Sequence, residues 1–429
     1  MHMPLKGLRT VHAETEREVV TPKPAEGPVF ATNFVSTSKY TMVTFVPLNL
    51  MLQFQRTANL YFLCIAVLAS ISLISPLGGS TFWIPLITVL GATAVKDGAE
   101  DYRRHQSDLE ENNRLTEVLD HASGEFKVVP WWEVKVGDLV RVTTGEDGCT
   151  AMLPCDLVLM ASSNVDGTAF LETANLDGET NLKLRESLEL LQKELTRLEM
   201  VEGNEQAVPQ METIRKLQCK IHCHPPDMML YEFNARAEVM GEELPLNGMS
   251  SGGQFLQRST KLKNTKWVMG VAVYTGKETK IQMNMNDPPN KVSDIEKSLN
   301  SFIFLLFGML GVICTAGAIG AGLFAGSETA RGSWYLKPEN ATVAFDTAAP
   351  AVTGVITWLT YLILLSLLIP ISLYVSIEMV KTVIMLVISA DREMYVEDED
   401  LQSKARSSGL CEELGQVSYI FSDKTGTLT

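Results

Sequence analysis

The stretch VSYIFSDKTGTLT, residues 417–429, is the most informative part of the sequence for the fold. Val417–Phe421 is an apolar run that predicts a buried strand, and Asp423 follows at its carboxyl end. In doubly wound α/β sheets ligands bind at this end of the strands, and Gly426 lets the backbone turn close to a phosphate. A carboxylate that attacks a phosphoryl group forms an acyl phosphate. With the positive charge of Lys424 beside it, Asp423 is therefore predicted to accept a phosphoryl group.

A second motif, LDGETN at residues 176–181, combines a turn with an acidic residue. The pair Asp177-Gly178 favours a tight turn that presents Glu179 at its tip. A carboxylate presented in this way can act as a base towards a group bound elsewhere. Taken alone, the motif is equally consistent with an ordinary surface turn.

Three stretches without charged side chains predict membrane spans. Thr57–Val95 is long enough for two helices across a hydrocarbon core of ~30 Å, with a reversal at residues 75–80. Ser298–Ser327 and Thr347–Ile377 are each long enough for one helix. Four spans are therefore expected, in preference to buried helices of a soluble core. Cationic side chains flank the segment between spans two and three, which predicts that this segment is cytosolic.

That cytosolic segment reads mainly as short strands and predicts a compact β domain. The predicted strands are Val128–Trp132, Asp138–Thr143, Asp156–Ala161, Tyr231–Val239 and Trp267–Tyr274. The run RESLELLQKELTRLEM, residues 185–200, has leucines at helical spacing and predicts one helix packed on this domain. Residue types that bind zinc cluster at Cys219, His222, Cys223 and His224. A zinc site is nevertheless disfavoured, because adjacent side chains on a strand point to opposite faces.

Composition excludes several classes of protein. The 429 residues are 46% hydrophobic, with a mean hydropathy of +0.09, which is high for a purely soluble chain. There are 36 Lys and Arg against 51 Asp and Glu, a net charge of −15, which argues against nucleic acid as the main partner. Seven cysteines without regular spacing indicate reduced thiols. The polar N-terminus lacks the apolar core of a signal peptide, so no cleavage is expected.

The heptapeptide DKTGTLT, residues 423–429, resembles the phosphorylation motif of the P-type ATPases. The resemblance implies that ATP phosphorylates Asp423 and that Asp423 and Thr425 hold Mg²⁺. It also implies that Lys424 and Thr425 contribute to binding of the cofactor. Mg²⁺ and ATP are accordingly the expected cofactor and co-substrate.

The LDGETN motif is similar to the actuator-domain loop of the same family. This resemblance implies that Glu179 positions the water that hydrolyses the acyl phosphate. The neighbouring residues of the motif are expected to support that role: Asp177, Gly178 and Thr180.

The fourth span suggests which cargo is moved. Pro370 removes a backbone hydrogen bond and is predicted to break the helix in mid-membrane, which in transporters marks a cargo path. The charge-free stretch around it lacks the carboxylates that a cation pump is expected to place there. The pattern Pro370-Ile371-Ser372 resembles that of type-IV P-type ATPases, the phospholipid flippases, in which the residue at the position of Ile371 acts as a hydrophobic gate.

Other stretches resemble flippase landmarks in the expected order, and the similarity covers nearly everything from Asn33 onward. Two of their residues, Gln55 and Asn59, complete the expected lipid path with Pro370, Ile371 and Ser372. One stretch departs from the family pattern: Gln257–Thr260 lacks the expected Arg-Gly pair, which leaves the local loop geometry open.

The expected architecture is a multi-domain membrane protein with four transmembrane α-helices, a mainly β cytosolic actuator domain and the first strand of an α/β phosphorylation domain. The expected bounds are a cytosolic tail at 1–56, spans one and two within 57–97 and the actuator domain at 98–290. Spans three and four are expected within 291–390, with an exoplasmic loop near 328–346 between them. A linker and the start of the phosphorylation domain are expected at 391–429.

The expected function is that of the N-terminal portion of an ATP-driven phospholipid flippase in the plasma membrane, Golgi or endosomes. A nucleotide-binding domain is missing from the sequence, so the chain alone is expected to be inactive. The resemblance also implies a two-span accessory β-subunit. A cation or polyamine pump and a catalytically inactive membrane scaffold remain alternatives. Asn340 begins a glycosylation sequon in the predicted exoplasmic loop.

Overall fold

The computed structural model divides the chain into two compact units. The first contains residues 1–38, 103–288 and 421–429, and the second contains residues 39–102 and 289–420. The described residues are 16–22, 30–55, 57–72, 74–75, 78–144, 151–179, 181–201, 204–239, 241–248, 252–285, 293–336, 345–405, 409–424 and 427–428.

The strands belong to the first unit and pair antiparallel. In chain order they are β1 Arg17–Thr21, β2 Leu115–Asp120, β3 Glu125–Pro130, β4 Leu139–Thr143, β5 Asp156–Ser162, β6 Thr168–Glu172, β7 Lys183–Glu186, β8 Thr196–Val201, β9 Asn204–Pro209, β10 Cys219–Cys223, β11 Asn234–Val239, β12 Glu242–Asn247, β13 Phe255–Leu256, β14 Lys261–Lys263 and β15 Trp267–Tyr274. They form four sheets, with strand orders β1-β10-β11-β12, β13-β5-β15-β4-β2-β3, β14-β6-β7 and β8-β9.

The longest helices belong to or extend into the second unit. In chain order the helices are α1 Phe45–Phe54, α2 Thr57–Ala69, α3 Ser80–Asn112, α4 Ala174–Asp177, α5 Glu189–Leu195, α6 Met211–Arg215, α7 Lys280–Asn284, α8 Asp294–Gly326, α9 Glu328–Gly332, α10 Pro350–Leu364 and α11 Ile371–Ser389. Short 3₁₀ turns join several of them.

The core of the first unit lies on both faces of the six-stranded sheet. Every residue of β5 is buried. Because successive side chains of a strand point to opposite faces, Leu157 and Leu159 join one apolar cluster while Val158 and Met160 join another. The prediction of a compact, mainly β domain is thus confirmed.

The predicted strands are confirmed most closely where both faces are buried. β4, β5 and β15 match their predicted ranges to within one residue. The predicted strand Val128–Trp132 is displaced: β3 ends at Pro130, which has no N–H to donate, and Trp131–Glu133 forms a 3₁₀ turn. The predicted strand Tyr231–Val239 begins only at Asn234.

The single long helix predicted for residues 185–200 is wrong in length. The helix α5 covers only Glu189–Leu195, and its leucines Leu191 and Leu195 are buried in the β-domain core, as a helix packed on its own domain requires. The chain then enters β8, which pairs with β9. Leu198 therefore lies on a strand and is exposed. The hydrogen bonds of a local hairpin replace those that would have continued the helix.

The buried strand predicted for Val417–Phe421 is not found. Within the described part of the chain these residues pair with no strand, and their side chains are exposed, from 52% at Val417 to 96% at Phe421. A strand of a parallel sheet is buried by neighbouring strands and by helices on both faces. None of the described elements supplies that environment here.

The prediction of four membrane spans is supported only in part. Among the described residues, two helices are long and apolar enough to cross a membrane, Lys297–Gly326 and Pro350–Leu368. The first predicted span contains α2, which ends at Ala69 and is too short. The second contains α3, which begins in apolar sequence but continues to Asn112 through a strongly charged half. Two candidate membrane helices are therefore established.

The predicted break at Pro370 is confirmed. The helix α10 ends at Leu364, a 3₁₀ turn follows at Leu365–Leu368, and α11 starts at Ile371. Proline has no N–H, and its ring displaces the preceding turn of an α-helix. Ile369, with φ −99° and ψ 102°, is extended and is buried in an apolar cluster with Phe62, Leu86 and Leu310.

A buried carboxamide ties the N-terminal segment to the β domain. The side chain of Asn33 is fully buried; its Nδ2 donates to the carbonyl oxygens of Trp131 at 2.7 Å and Pro154 at 3.2 Å. Its Oδ1 accepts from Arg258 Nη1 at 3.0 Å and from the backbone N–H of Gly276 at 2.9 Å. One side chain thereby satisfies four groups that come from four separate parts of the chain.

Arg258 lies in the stretch that departs from the family pattern, and that stretch has a defined structure. Its guanidinium group is buried, and its backbone N–H donates to Asp156 Oδ1 at 2.8 Å. The other oxygen of Asp156 accepts from the backbone N–H of Lys280 at 2.8 Å. Ser259 adopts φ +62° in the following turn. The chain then enters β14 at Lys261.

We predict that Asn33→Ala lowers the free energy of unfolding by about 3 kcal/mol, because it leaves several buried polar groups without a partner. Chemical denaturation of the purified chain in detergent, followed by tryptophan fluorescence, measures the change. The control is Asn234→Ala at an exposed position of β11, expected to change this free energy by less than about 0.5 kcal/mol. Equal changes in the free energy of unfolding for the two variants would show that the Asn33 hydrogen bonds contribute no more to stability than an exposed side chain does.

Candidate functional site

The LDGETN motif lies in a loop that is closed by a pair of strands. The strands β6 and β7 flank it, and Leu171 faces Lys183 on the last rung of their ladder. Between them the chain makes one turn of helix, α4, and ends it at Gly178 with φ +71° and ψ 0°. This left-handed conformation favours glycine. The predicted tight turn at Asp177-Gly178 is thus present.

Asp177 organises the turn from within. Its Oδ1 accepts from the Thr173 hydroxyl at 3.0 Å and from the backbone N–H of Glu179 at 2.9 Å, and its Oδ2 accepts from Lys183 Nζ. Partial burial opposes ionisation of this carboxyl, yet the bonds from Lys183, Glu179 and Thr173 hold the pKa of Asp177 below its usual value. The carboxylate therefore stays ionised and keeps the turn closed at neutral pH.

Glu179 follows the turn and faces solvent. Its side chain is 49% exposed, and its Oε2 lies 3.7 Å from Lys183 Nζ. An exposed carboxylate on a tight turn can approach a group on another domain, as a base acting at a distance must. Thr180, the next residue of the predicted site, lies outside the described residues.

Lys183 is a residue of this site that sequence reasoning missed. Its ammonium group contacts both Asp177 and Glu179. The signal available in the sequence was its spacing of four residues from Glu179, but such a spacing indicates an ion pair only within a helix. Here the contact arises because β7 begins at Lys183 and points the side chain back over the turn.

A cavity of about 370 Å³ lies beside this turn. Its walls include Asp177 from the motif loop, Lys183 and Arg185 from β7, and Tyr231 and Gln257 from other loops. The cavity therefore combines two cations, one carboxylate and an exposed aromatic ring next to Glu179.

Asp423 lies on an exposed segment of the chain. Its Oδ1 accepts from the backbone N–H of Lys424 at 2.8 Å, and its backbone carbonyl accepts from the Ser422 hydroxyl at 3.0 Å. The carboxylate is accessible, as an attacking group must be. Thr425, expected to help hold Mg²⁺ and cofactor, lies outside the described residues, as does Gly426.

Carboxylate oxygen is the ligand type that Mg²⁺ prefers, so Asp423 fits the expected ion in kind. In the described part of the chain, no group of three His, Cys, Asp or Glu side chains could hold a metal ion. Asp423 would supply one oxygen ligand of such a site.

The residues expected to line a lipid path lie in the second unit. Pro370 stands at the helix break, and Ile371 and Ser372 begin α11. Asn59 is half-buried in α2, and its Nδ2 donates to the carbonyl oxygen of Gln53 at 2.9 Å. Gln55 is exposed just after α1. The sequon at Asn340 lies outside the described residues.

Comparison with known proteins shows which family the chain resembles. The family model for the N-terminal part of phospholipid-translocating ATPases matches residues 14–83. The chain is 40% identical over 411 residues to a probable phospholipid-transporting ATPase 12 of Arabidopsis thaliana. It is 39% identical over 409 residues to phospholipid-transporting ATPase 10 of the same plant, and each match covers 94% of this chain. Over 94% of its length the chain is thus similar to phospholipid-transporting ATPases.

The relationship extends beyond plants. Phospholipid-transporting ATPase IC of Homo sapiens is 35% identical over 400 residues, which cover 93% of this chain. The matches cover 32% of the two plant proteins and 30% of the human one. The chain therefore spans about a third of the length of these phospholipid-transporting ATPases.

We predict that Gly178→Ala lowers the free energy of unfolding by about 1 kcal/mol, because a Cβ atom is strained in the left-handed region. Gly178→Asn should cost less, since asparagine tolerates this conformation better than other residues with a side chain. Thermal and chemical denaturation of the chain in detergent measure both changes. An equal loss for the two variants would show that the cost does not come from the backbone conformation.

Proposed function

We propose that the full-length protein containing this chain is an ATP-driven phospholipid flippase that moves phospholipid from the exoplasmic to the cytosolic leaflet. The observation that carries this proposal is the similarity to phospholipid-transporting ATPases over 94% of the chain. The accessible Asp423 and the solvent-facing Glu179 turn support it, since both groups are free to approach reacting atoms on another domain.

The proposed reaction has two phosphoryl transfers. First, a carboxylate oxygen of Asp423 attacks the γ-phosphorus of ATP, and the bond from that phosphorus to the leaving ADP oxygen breaks. A Mg²⁺ ion held with the help of Asp423 and Thr425 would neutralise charge on the phosphoryl oxygens. Lys424 adds a further positive charge beside the acceptor.

In the second transfer, Glu179 orients a water molecule and accepts its proton as the water oxygen attacks phosphorus. The bond between phosphorus and the Asp423 oxygen then breaks, which releases inorganic phosphate and regenerates the carboxylate. Asp177, Gly178 and Thr180 hold the turn that carries Glu179. The closed Asp177 turn supports this assignment because it leaves the Glu179 side chain half-exposed, with Lys183 as its ion-pair partner.

The cargo path is proposed to run along the helix break at Pro370. A broken helix leaves backbone groups that can meet a polar head group, and Ile371 at the start of α11 would act as the hydrophobic gate. The neighbouring path residues would be Ser372, Asn59 and Gln55. The absence of charged residues in the sequence from Thr347 to Ile377 favours a lipid over a bare cation.

The remaining parts of the proposal concern the cellular setting. The protein would have four spans within the N-terminal third of its length, pair with a two-span accessory β-subunit, and act in the plasma membrane, Golgi or endosomes. These assignments follow the family resemblance. Co-purification of the full-length protein with a two-span subunit tests the partner.

We predict opposite effects of two substitutions on the phosphoenzyme of the full-length protein. Asp423→Asn should abolish acid-stable label from [γ-³²P]ATP, because the acceptor carboxylate is gone. Glu179→Gln should make the label accumulate, because hydrolysis is slowed by a factor on the order of 10²–10⁴ while formation continues. Label retained by Asp423→Asn would contradict the mechanism. If the unaltered full-length protein binds no nucleotide, an inactive membrane scaffold is the better description.

We predict that phosphatidylserine or another phospholipid stimulates ATP hydrolysis by the full-length protein in detergent. Pro370→Ala should reduce this stimulation on the order of tenfold, because an unbroken helix closes the path. Pro350→Ala is the control, since proline at the first turn of α10 removes no helical hydrogen bond. Hydrolysis that follows a specific cation or polyamine and ignores phospholipid would instead support a cation pump.

A further inference from the structure

The strand register places Lys183 directly beside the Glu179 turn. Lys183 is the first residue of β7 and faces Leu171 of β6. Its backbone is therefore fixed by sheet hydrogen bonds, unlike the turn itself. Its side chain is 31% exposed and reaches back to the turn, where Nζ contacts Asp177 Oδ2 and lies 3.7 Å from Glu179 Oε2.

The two carboxylates that Lys183 contacts carry like charges on one short turn. Asp177 and Glu179 are separated by a single glycine, and the Asp177 carboxylate already accepts the Glu179 backbone N–H. Like charges at this separation repel, so the Glu179 side chain would turn away from Asp177 in the absence of a cation between them. Lys183 supplies that cation.

The conformation of Gly178 makes the charge of Lys183 important for the position of the Glu179 side chain. A glycine with φ +71° gives the turn little steric control over the residue that follows it. The Glu179 side chain is half-exposed, and solvent alone would let it sample many rotamers. A lysine anchored in a strand restricts these rotamers without burying the carboxylate.

We propose that Lys183 is a positioning residue for the dephosphorylation step. Its ammonium group bridges Asp177 and Glu179 and holds the Glu179 carboxylate in the direction from which it orients the attacking water. The proposal rests on the role of Glu179 given under the proposed function. Lys183 does not touch the reacting atoms and acts through Glu179.

The test is the decay of phosphoenzyme in the full-length protein. The enzyme is labelled with [γ-³²P]ATP, chased with unlabelled ATP, and quenched in acid at successive times. Lys183→Met removes the charge but keeps an unbranched side chain, and it should slow decay on the order of tenfold while leaving the rate of label formation within about twofold. Lys183→Arg should restore at least half of the lost rate because the charge returns.

Two further variants separate guidance of Glu179 from a general effect on folding. Lys193→Met, at an exposed position of α5 where Lys193 pairs with Glu189 at 2.6 Å, should decay like the unaltered enzyme. Lys183→Met combined with Glu179→Gln should decay no more slowly than Glu179→Gln alone, because Lys183 acts only through that carboxylate.

The outcomes separate a failure of the proposed function of Glu179 from a failure of the proposed role of Lys183. If Glu179→Gln leaves decay unchanged, the proposed function of Glu179 fails. If Glu179→Gln slows decay but Lys183→Met does not, only the role of Lys183 fails. Slower formation as well as slower decay in Lys183→Met, without rescue by Lys183→Arg, would assign Lys183 a structural role and would overturn the inference.

Discussion

The geometry of the first unit depends on one buried carboxamide. Asn33 is fully buried and joins the N-terminal segment to Trp131, Pro154, Arg258 and Gly276 by four hydrogen bonds. Arg258 and the two residues after it lead into β14, which pairs with β6. The strand β6 in turn begins the loop that carries Glu179. The buried Asn33 side chain therefore helps to hold in place the strand that leads into the Gly178 turn. Leaving these buried polar groups unpaired would be costly.

Features set by short-range chemistry were predictable from the sequence. The turn at Asp177-Gly178 and the break at Pro370 each depend on the backbone restrictions of one residue, glycine in one case and proline in the other. The buried strands β5 and β15 were predictable because a short apolar run between turn residues has few other structures available. At the site, the same local logic predicted the turn at Asp177-Gly178 with Glu179 at its tip.

Features that depend on a distant partner were not predictable. Leu198 continues the helical spacing of the leucines before it, but pairing with β9 makes residues 196–201 a strand. The run Val417–Phe421 has the composition of a buried strand, yet a strand needs neighbours, and none of the described elements provides them. Arg17–Thr21 was assigned to a tail because no sequence pattern reveals its pairing with β10. Lys183 was missed for the same reason, since its contact with Glu179 depends on the register of β6 and β7.

The position of β1 has a consequence for biosynthesis. Arg17 is buried and pairs with Glu278 at 2.8 Å, a separation of 261 residues along the chain. The nascent β domain cannot complete this contact until the ribosome has translated past Glu278. By then the charge-free stretch Thr57–Val95 has already been translated, so this apolar segment emerges before the buried ion pair can form.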